Sequence, residues 1–462
     1  MTGFLDSVFA NLPGPGRHLW RITQDLNEGF SCVWLVPDDL VQRGDADMLL
    51  DLLAARPDSI RVAKPERTGR VRAPGVVERP ESGDCRESTP SWAQDRFGFL
   101  DEDALRSEPA VEPEEIRTTV VERLGIALEG QSAGDTVRDL ALAESLRGQV
   151  IVVSGWDEPD PTDASTFLIQ LTAMLKERGV PPELRPRVLF ATRERDVSGP
   201  FLDRIDPVTT RVRWWWGATG RLDTAVVVAA ARVHTDGRTS TGYAARVREC
   251  TVNEILTEVA GPDLSLAASL AASWDGEVAN LAPLLQKLAY DFARQPEGVD
   301  LRHWQAAGAH RPPLKLRELW RLGVADVWDG HVRISPAVAD TASVAAELDT
   351  LVWRGQNRAL MPIIDEQRAR LEVIVRSRAS SASLLRLTTE TRAKRRYAAD
   401  PGRAQDPLEL GAIYWLDNTG GVTLDRDDRV LLQHLRKTRN RLAHLQPLTD
   451  DAFTDLLAAL PG

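Results

Sequence analysis

No apolar run in the 462-residue chain approaches the ~18–20 residues that a membrane-crossing helix needs, so no membrane span is expected. The start, Met1-Thr2-Gly3-Phe4-Leu5-Asp6, has no basic cluster ahead of a hydrophobic stretch, so no secretion signal is read there. Cysteine is scarce. Cys32, Cys85 and Cys250 lie far apart, with neither metal-ligand spacing nor a disulfide framework, which fits a reducing cytoplasm. There is no internal repeat to suggest a solenoid. Positive charge is also short: the net of −11 argues against coating nucleic acid by bulk electrostatics. What remains is an ordinary folded composition, 43% hydrophobic and 27% charged, in a chain long enough for several domains.

The charge is uneven. From Ala345 to Gly462 there are 18 Lys/Arg against 16 Asp/Glu, a net of +2, so the rest of the chain carries −13. The densest basic run there, Arg392, Lys394, Arg395 and Arg396, is read first as a solvated helix face.

Strand and helix signals alternate through the first half. Helices are expected over Arg17–Gly29, Asp47–Ala55, Thr136–Arg147, Ala164–Arg178 and Thr224–Ala231. Short apolar runs of the kind buried on both faces occupy Ser31–Pro37, Val150–Ser154 and Arg187–Thr192, with further strands at Ile60–Ala63 and Arg211–Trp216. That alternation predicts an α/β sandwich on a mostly parallel sheet over residues 1–235. A Pro-, Glu- and Arg-rich insertion of weak periodicity interrupts it at 64–118.

Residues 236–343 change character. Helices are expected at Val252–Ala260, Leu264–Trp274, Val278–Arg294 and Leu314–Leu322, followed by a hairpin over Val324–Ile334 around Asp329-Gly330. This is a winged-helix outline. Residues 344–462 read as all-helical, with helices at Leu351–Ile374, Glu409–Leu416, Asp427–His444 and Asp451–Leu460.

Two motif sets carry chemistry. At the exits of the second and third apolar strands stand Asp157-Glu158 and Thr192-Arg193. In this strand order the α/β half resembles the core of AAA and STAND nucleotide hydrolases. The resemblance implies Asp157 as a magnesium-associated acid, Glu158 as the water-activating carboxylate, and Thr192 or Arg193 as the γ-phosphate sensor. The phosphate loop departs from the pattern. After Val36 comes Pro37-Asp38-Asp39, where a Gly-rich loop with Lys and Ser/Thr is needed. The other candidate, Leu12-Pro13-Gly14-Pro15-Gly16-Arg17-His18, has Arg-His in place of Lys-Ser/Thr. A degenerate core without ATP hydrolysis is therefore expected, and without a phosphate loop Asp157-Glu158 is read first as a solvated strand exit.

The second set is Arg439-Asn440-Arg441-Leu442-Ala443-His444 near the chain's end. Asn440 and His444 are one helical turn apart, and Arg439 is long enough to reach the same cleft. This Arg-x4-His pattern, with Asn after the Arg, resembles HEPN domains, helical bundles that are often dimeric and often metal-independent ribonucleases. The resemblance implies His444 as a proton-transfer group, Arg439 as the cation over the scissile phosphate, Asn440 beside them, a homodimer through this domain, and no metal or other cofactor. Arg436, Lys437 and Arg441 are candidate RNA contacts. The stretch Trp353-Arg354-Gly355-Gln356-Asn357-Arg358 is read first as domain-junction contact.

Together these features lead us to expect a regulated effector of the kind found in prokaryotic antiphage or stress systems. A pseudo-nucleotidase and winged helix would restrain a C-terminal ribonuclease, with RNA and a partner protein of a defence complex as its contacts. Two alternatives stay open: a non-enzymatic scaffold or adaptor, and a DNA-binding regulator acting through Lys315, Arg317 and Arg321 of the winged helix.

Overall fold

The computed structural model describes Phe9 and residues 11–65, 119–128, 136–235, 242–288, 310–338, 341–384 and 407–461. Nearly all of the 64–118 insertion, and the whole basic run at 392–396, lie outside the described residues.

The first half follows the alternation in the sequence. In chain order it runs α1 (Pro13–Asn27), β1 (Ser31–Val36), α2 (Asp38–Gln42), α3 (Asp45–Ala54), β2 (Ser59–Arg61), α4 (Val120–Ala127), α5 (Val137–Leu142) and β3 (Val150–Ser154). Then come α6 (Pro161–Glu177), β4 (Arg187–Arg193), α7 (Gly199–Arg204), β5 (Thr210–Trp214) and α8 (Arg221–Thr235). The five strands form one sheet in the order β2-β3-β4-β1-β5, every pair parallel. Every residue of β1 and β3 is buried, as parallel strands covered on both faces must be. The chain leaves β1 toward one side of the sheet and later crosses it to place β5 on the other. In open α/β sheets ligands bind beyond the carboxyl ends of the strands, which makes that edge the place to look for a site.

Next come α9 (Tyr243–Ala260), α10 (Leu264–Ser273), α11 (Val278–Lys287), α12 (Arg317–Arg321) and the antiparallel hairpin β6 (Ala325–Trp328)–β7 (His331–Ile334). Asp329 (φ 50) and Gly330 (φ 78) form its turn, both in the left-handed region that a two-residue primed turn requires. This segment shares one continuous hydrophobic core with the sheet. Two indoles stitch it down: Trp320 Nε1 donates to Trp215 O at 2.6 Å, and Trp328 Nε1 to Thr224 Oγ1 at 3.1 Å.

The C-terminal region is helical: α13 (Thr341–Arg378), α14 (Leu410–Asn418), α15 (Arg426–Ala443) and α16 (Asp450–Ala459). At 38 residues α13 is about 57 Å long at the usual rise per residue. Its Leu351 and Val352 belong to the first core, while Leu360, Ile364 and Leu371 belong to a second core shared with α14–α16. Where α13 crosses α9, Gly355 lies against the backbone of Ile255. A Cβ there would sit 2.5 Å from Ile255 Cα, so only glycine permits this approach. Among the described residues no helix is long and apolar enough to cross a membrane.

Helix α15 starts with Asp425 accepting from Asp428 N at 2.9 Å, and Asp427 and Asp428 suit its positive end. It ends in a Schellman pattern: Gln446 N donates to Arg441 O and Leu445 N to Leu442 O, both at 3.1 Å. The left-handed position is taken by Leu445 (φ 60), an exposed leucine where glycine is usual. Leu445→Gly should therefore raise stability by about 0.5–1 kcal/mol, read as a higher urea midpoint with an unchanged slope. An unchanged or lower midpoint would show that Leu445 is not strained.

Candidate functional site

The carboxyl edge of the sheet is crowded with charge, and each charge is matched from within the chain. After β3, Ser154 Oγ donates to Asp157 Oδ2 at 2.7 Å, and Lys64 Nζ lies 3.0 Å from the same oxygen. Gly155 is held against Thr192: an added Cβ would fall 2.7 Å from Thr192 Oγ1. Arg123 of α4 donates through Nη2 to both Glu158 oxygens, at 2.5 and 2.6 Å, with side-chain exposures of only 5% and 4%. Burial holds the Glu158 carboxyl above its usual pKa despite the pull of Arg123. At the end of β4, Thr192 is fully buried, and Arg193 donates to Asp196 at 2.5 and 3.2 Å. Glu194 receives Arg317 at 3.1 Å and also Arg321, both from the α12 segment. Asp157, Glu158, Thr192 and Arg193 thus meet at one edge, because β3 and β4 are neighbours, but as members of internal pairs.

The exit of β1 is also occupied. Asp38 pairs with Arg195 at 3.0 Å, and burial raises its pKa. Between the sheet and the hairpin lies a cavity of about 40 Å³, lined by Asp39, Arg43, Trp215, Trp320 and Asp326 among others. That is room for a water or two, far from a nucleotide. The glycine-containing start of α1 fares no better as a phosphate loop. Asp223, 1% exposed, accepts from Gly14 N at 2.8 Å and Gly220 N at 2.6 Å, so a carboxylate of the chain itself sits where an anion would bind the helix N-terminus.

Burial pushes the Asp326 carboxyl up to about 7, overcoming two backbone donors, Gly217 N at 2.6 Å and Val327 N at 2.7 Å. Burial likewise pushes Asp39 up to about 6, against the nearby Arg43. An unfolded aspartate loses its proton near pH 4, whereas folded Asp326 keeps it to about 7. The stability it contributes is therefore complete below about pH 4 and lost as pH rises through 7, and Asp39 adds the same sign through 6. Asp326→Asn keeps the acceptor oxygen and removes the titration. Stabilities from urea unfolding at pH 5 and pH 8 should show the variant gaining on wild type by on the order of 2 kcal/mol or more between the two values. An equal effect at both values would mean that Asp326 is already ionised at the lower one.

The C-terminal motif is placed differently. Leu431, Leu432, Leu435, Thr438 and Leu442 form the buried stripe of α15. The opposite face presents Val430, Gln433, Lys437, Asn440 and His444 to solvent, spaced three and four apart along the helix. Arg439 is 51% exposed at the mouth of a cleft of about 300 Å³ between α13 and α14, floored by Met361, Ile364 and Leu410. Its guanidinium lies 3.9 Å from Glu409. His444 is the C-cap residue, with an exposed ring. Of the other basic candidates, Lys437 is exposed, Arg436 lies over the Tyr414 ring at 3.5 Å, and Arg441 Nε donates to Pro447 O at 2.7 Å. Arg436 and Arg441 thus have structural partners.

No protein-family model, characterised protein or solved structure matches this chain. Among the described residues no group of three or more His, Cys, Asp or Glu is arranged to hold a metal. His18, buried, is wedged beside Trp34 and Trp215, where burial lowers its pKa to about 3. Arg123 and Asp223 carried no sequence signal, and the stretch holding Gln356 carried only a domain-junction reading. Arg123, Asp223 and Gln356 act on partners 35, 209 and 92 residues away, beyond any local pattern.

Proposed function

We propose that the protein is a metal-independent ribonuclease of the HEPN type, with its active groups Arg439, Asn440 and His444 on the C-terminal helical region and the α/β half acting as a non-hydrolysing regulatory platform. One observation carries the reading. The three side chains stand in solvent at the end of a helix whose other face supplies the core, so they are not needed for folding and are open to substrate. An imidazole exchanges protons in 2′-hydroxyl attack, a guanidinium supports the charge gathering on the phosphate, and no metal is required. As in the family it resembles, the site is completed across a homodimer, and a defence or stress role follows from that analogy alone. The regulatory half is supported by the matched charges at the sheet edge and by Asp223 at the start of α1, which leave no receptive phosphate cradle there. The deciding experiment is RNA cleavage in chelator by the wild-type chain and His444→Ala. Equal activity in the two sinks the proposal.

A scaffold or adaptor is the second reading, favoured by the structural engagement of Arg436 and Arg441. It predicts partner binding that survives His444→Ala and no cleavage by either protein. A DNA-reading winged helix has less support, because Arg317 and Arg321 are both turned onto Glu194 and Arg317 also lies over Trp214.

A further inference from the structure

The segment that carries His444 is short and held at both ends by one turn of α13. At its start, Trp353 Nε1 donates to Leu442 O at 2.8 Å. At its end, the Gln356 side chain grips one residue twice: Leu448 N donates to Gln356 Oε1 at 2.6 Å, and Gln356 Nε2 donates to Leu448 O at 3.2 Å. Gln356 is 1% exposed, so both bonds lie out of water, where losing either leaves a buried group unpaired. Between these anchors, Ala443, His444, Leu445 and Gln446 expose their side chains, and the turn reverses through the left-handed Leu445. The same turn of α13 includes Gly355, which lies directly on the backbone of Ile255 in α9. Helix α9 in turn belongs largely to the core shared with the sheet and hairpin.

We infer that Trp353 and Gln356 are positioning residues for His444, and that Gly355 makes this position depend on how α9 sits against α13. The inference rests on the ribonuclease reading for its consequence, though not for its geometry. It identifies a mechanical route by which the α/β half acts on the C-terminal site: a shift of α9 moves the turn 353–356, and that turn holds both anchors of the His444 segment. A positioning group acts by fixing a reacting group, and displacements near 1 Å cost roughly a hundredfold in rate.

The test uses the full chain and two readouts. In a histidine-ring carbon–proton correlation spectrum, the His444 peak is assigned by its loss in His444→Ala. Trp353→Phe removes the indole N–H and its bond to Leu442 O while keeping an aromatic ring there, Gln356→Leu removes both bonds to Leu448, and Gly355→Ala forces the two helices apart. Each should shift or broaden the His444 peak while leaving that of His18, packed beside Trp34 and Trp215 in the α/β half, in place. In RNA cleavage the same variants should lose roughly ten- to a hundredfold in kcat with little change in KM. Gln356→Glu supplies a rescue: its carboxyl, once protonated, again both donates and accepts. Its activity relative to wild type should therefore recover as pH falls, while that of Gln356→Leu does not. If folded Trp353→Phe and Gln356→Glu leave the His444 peak unmoved, the positioning role is wrong even where wild type cleaves RNA. If only Gly355→Ala leaves it unmoved, the coupling to α9 is wrong. If wild type does not cleave RNA, the ribonuclease reading fails and the spectrum alone judges the positioning.

Discussion

His444→Ala in the full chain should lower metal-independent RNA cleavage by about 10²–10⁴-fold, the usual contribution of a proton-transfer side chain. Its stability should hardly change, because the imidazole is exposed and belongs to neither hydrophobic core. Exposed substitutions of this kind stay within roughly 0.5 kcal/mol. That combination separates chemistry from folding: urea midpoints should coincide while rates diverge. Arg439→Lys is the companion test. Lysine keeps the charge but loses the paired donors that fit a phosphate, so cleavage should fall substantially while RNA affinity is largely retained. If the site is completed by a second protomer, specific activity should also rise with protein concentration across the monomer–dimer range. Full activity in His444→Ala would end the proposal.

Glu158→Ala should cost about 3–5 kcal/mol of stability, the penalty for taking its carboxylate away from a buried guanidinium. The pair it breaks is almost wholly out of water, with side-chain exposures of 5% and 4%. Glu158→Gln keeps one acceptor oxygen for Arg123 but loses the second and the charge, so it should fall between wild type and alanine. This outcome bears on function as well as folding. A glutamate that activates water for ATP hydrolysis is replaceable by glutamine with loss of turnover and little loss of stability. A glutamate that locks Arg123 in place behaves in the opposite way. Denaturant unfolding and ATP turnover, measured on the same two variants, decide between them. A stable Glu158→Ala protein that has lost ATP hydrolysis would overturn the pseudo-nucleotidase reading.

The α/β half was legible because buried parallel strands announce themselves as short unbroken apolar runs, as in Cys32–Val36 and Val150–Val153. The hairpin was legible because Asp329-Gly330 suits the left-handed turn better than other residue pairs. Boundaries were less so. Helix α13 begins at Thr341 rather than Leu351, since its Ala-rich first turns show no apolar period. The single helix expected over Leu314–Leu322 is a 3₁₀ turn followed by a short α-helix. The stretch Thr136–Arg147 is likewise broken: Ala143 adopts an extended ψ of 124° and splits α5 from a 3₁₀ turn.

By itself the sequence determined the parallel sheet, the helical C-terminal region and the face that Asn440 and His444 share, because helix and strand periodicities decide which side chains lie together. Only the tertiary structure decided the fate of the charges. Glu158 meets Arg123, Glu194 meets Arg317 and Arg321, and Asp223 closes the start of α1 across 209 residues of chain. Local patterns carry no trace of such pairings, since the low-dielectric sheet edge that makes them necessary exists only after distant segments have come together.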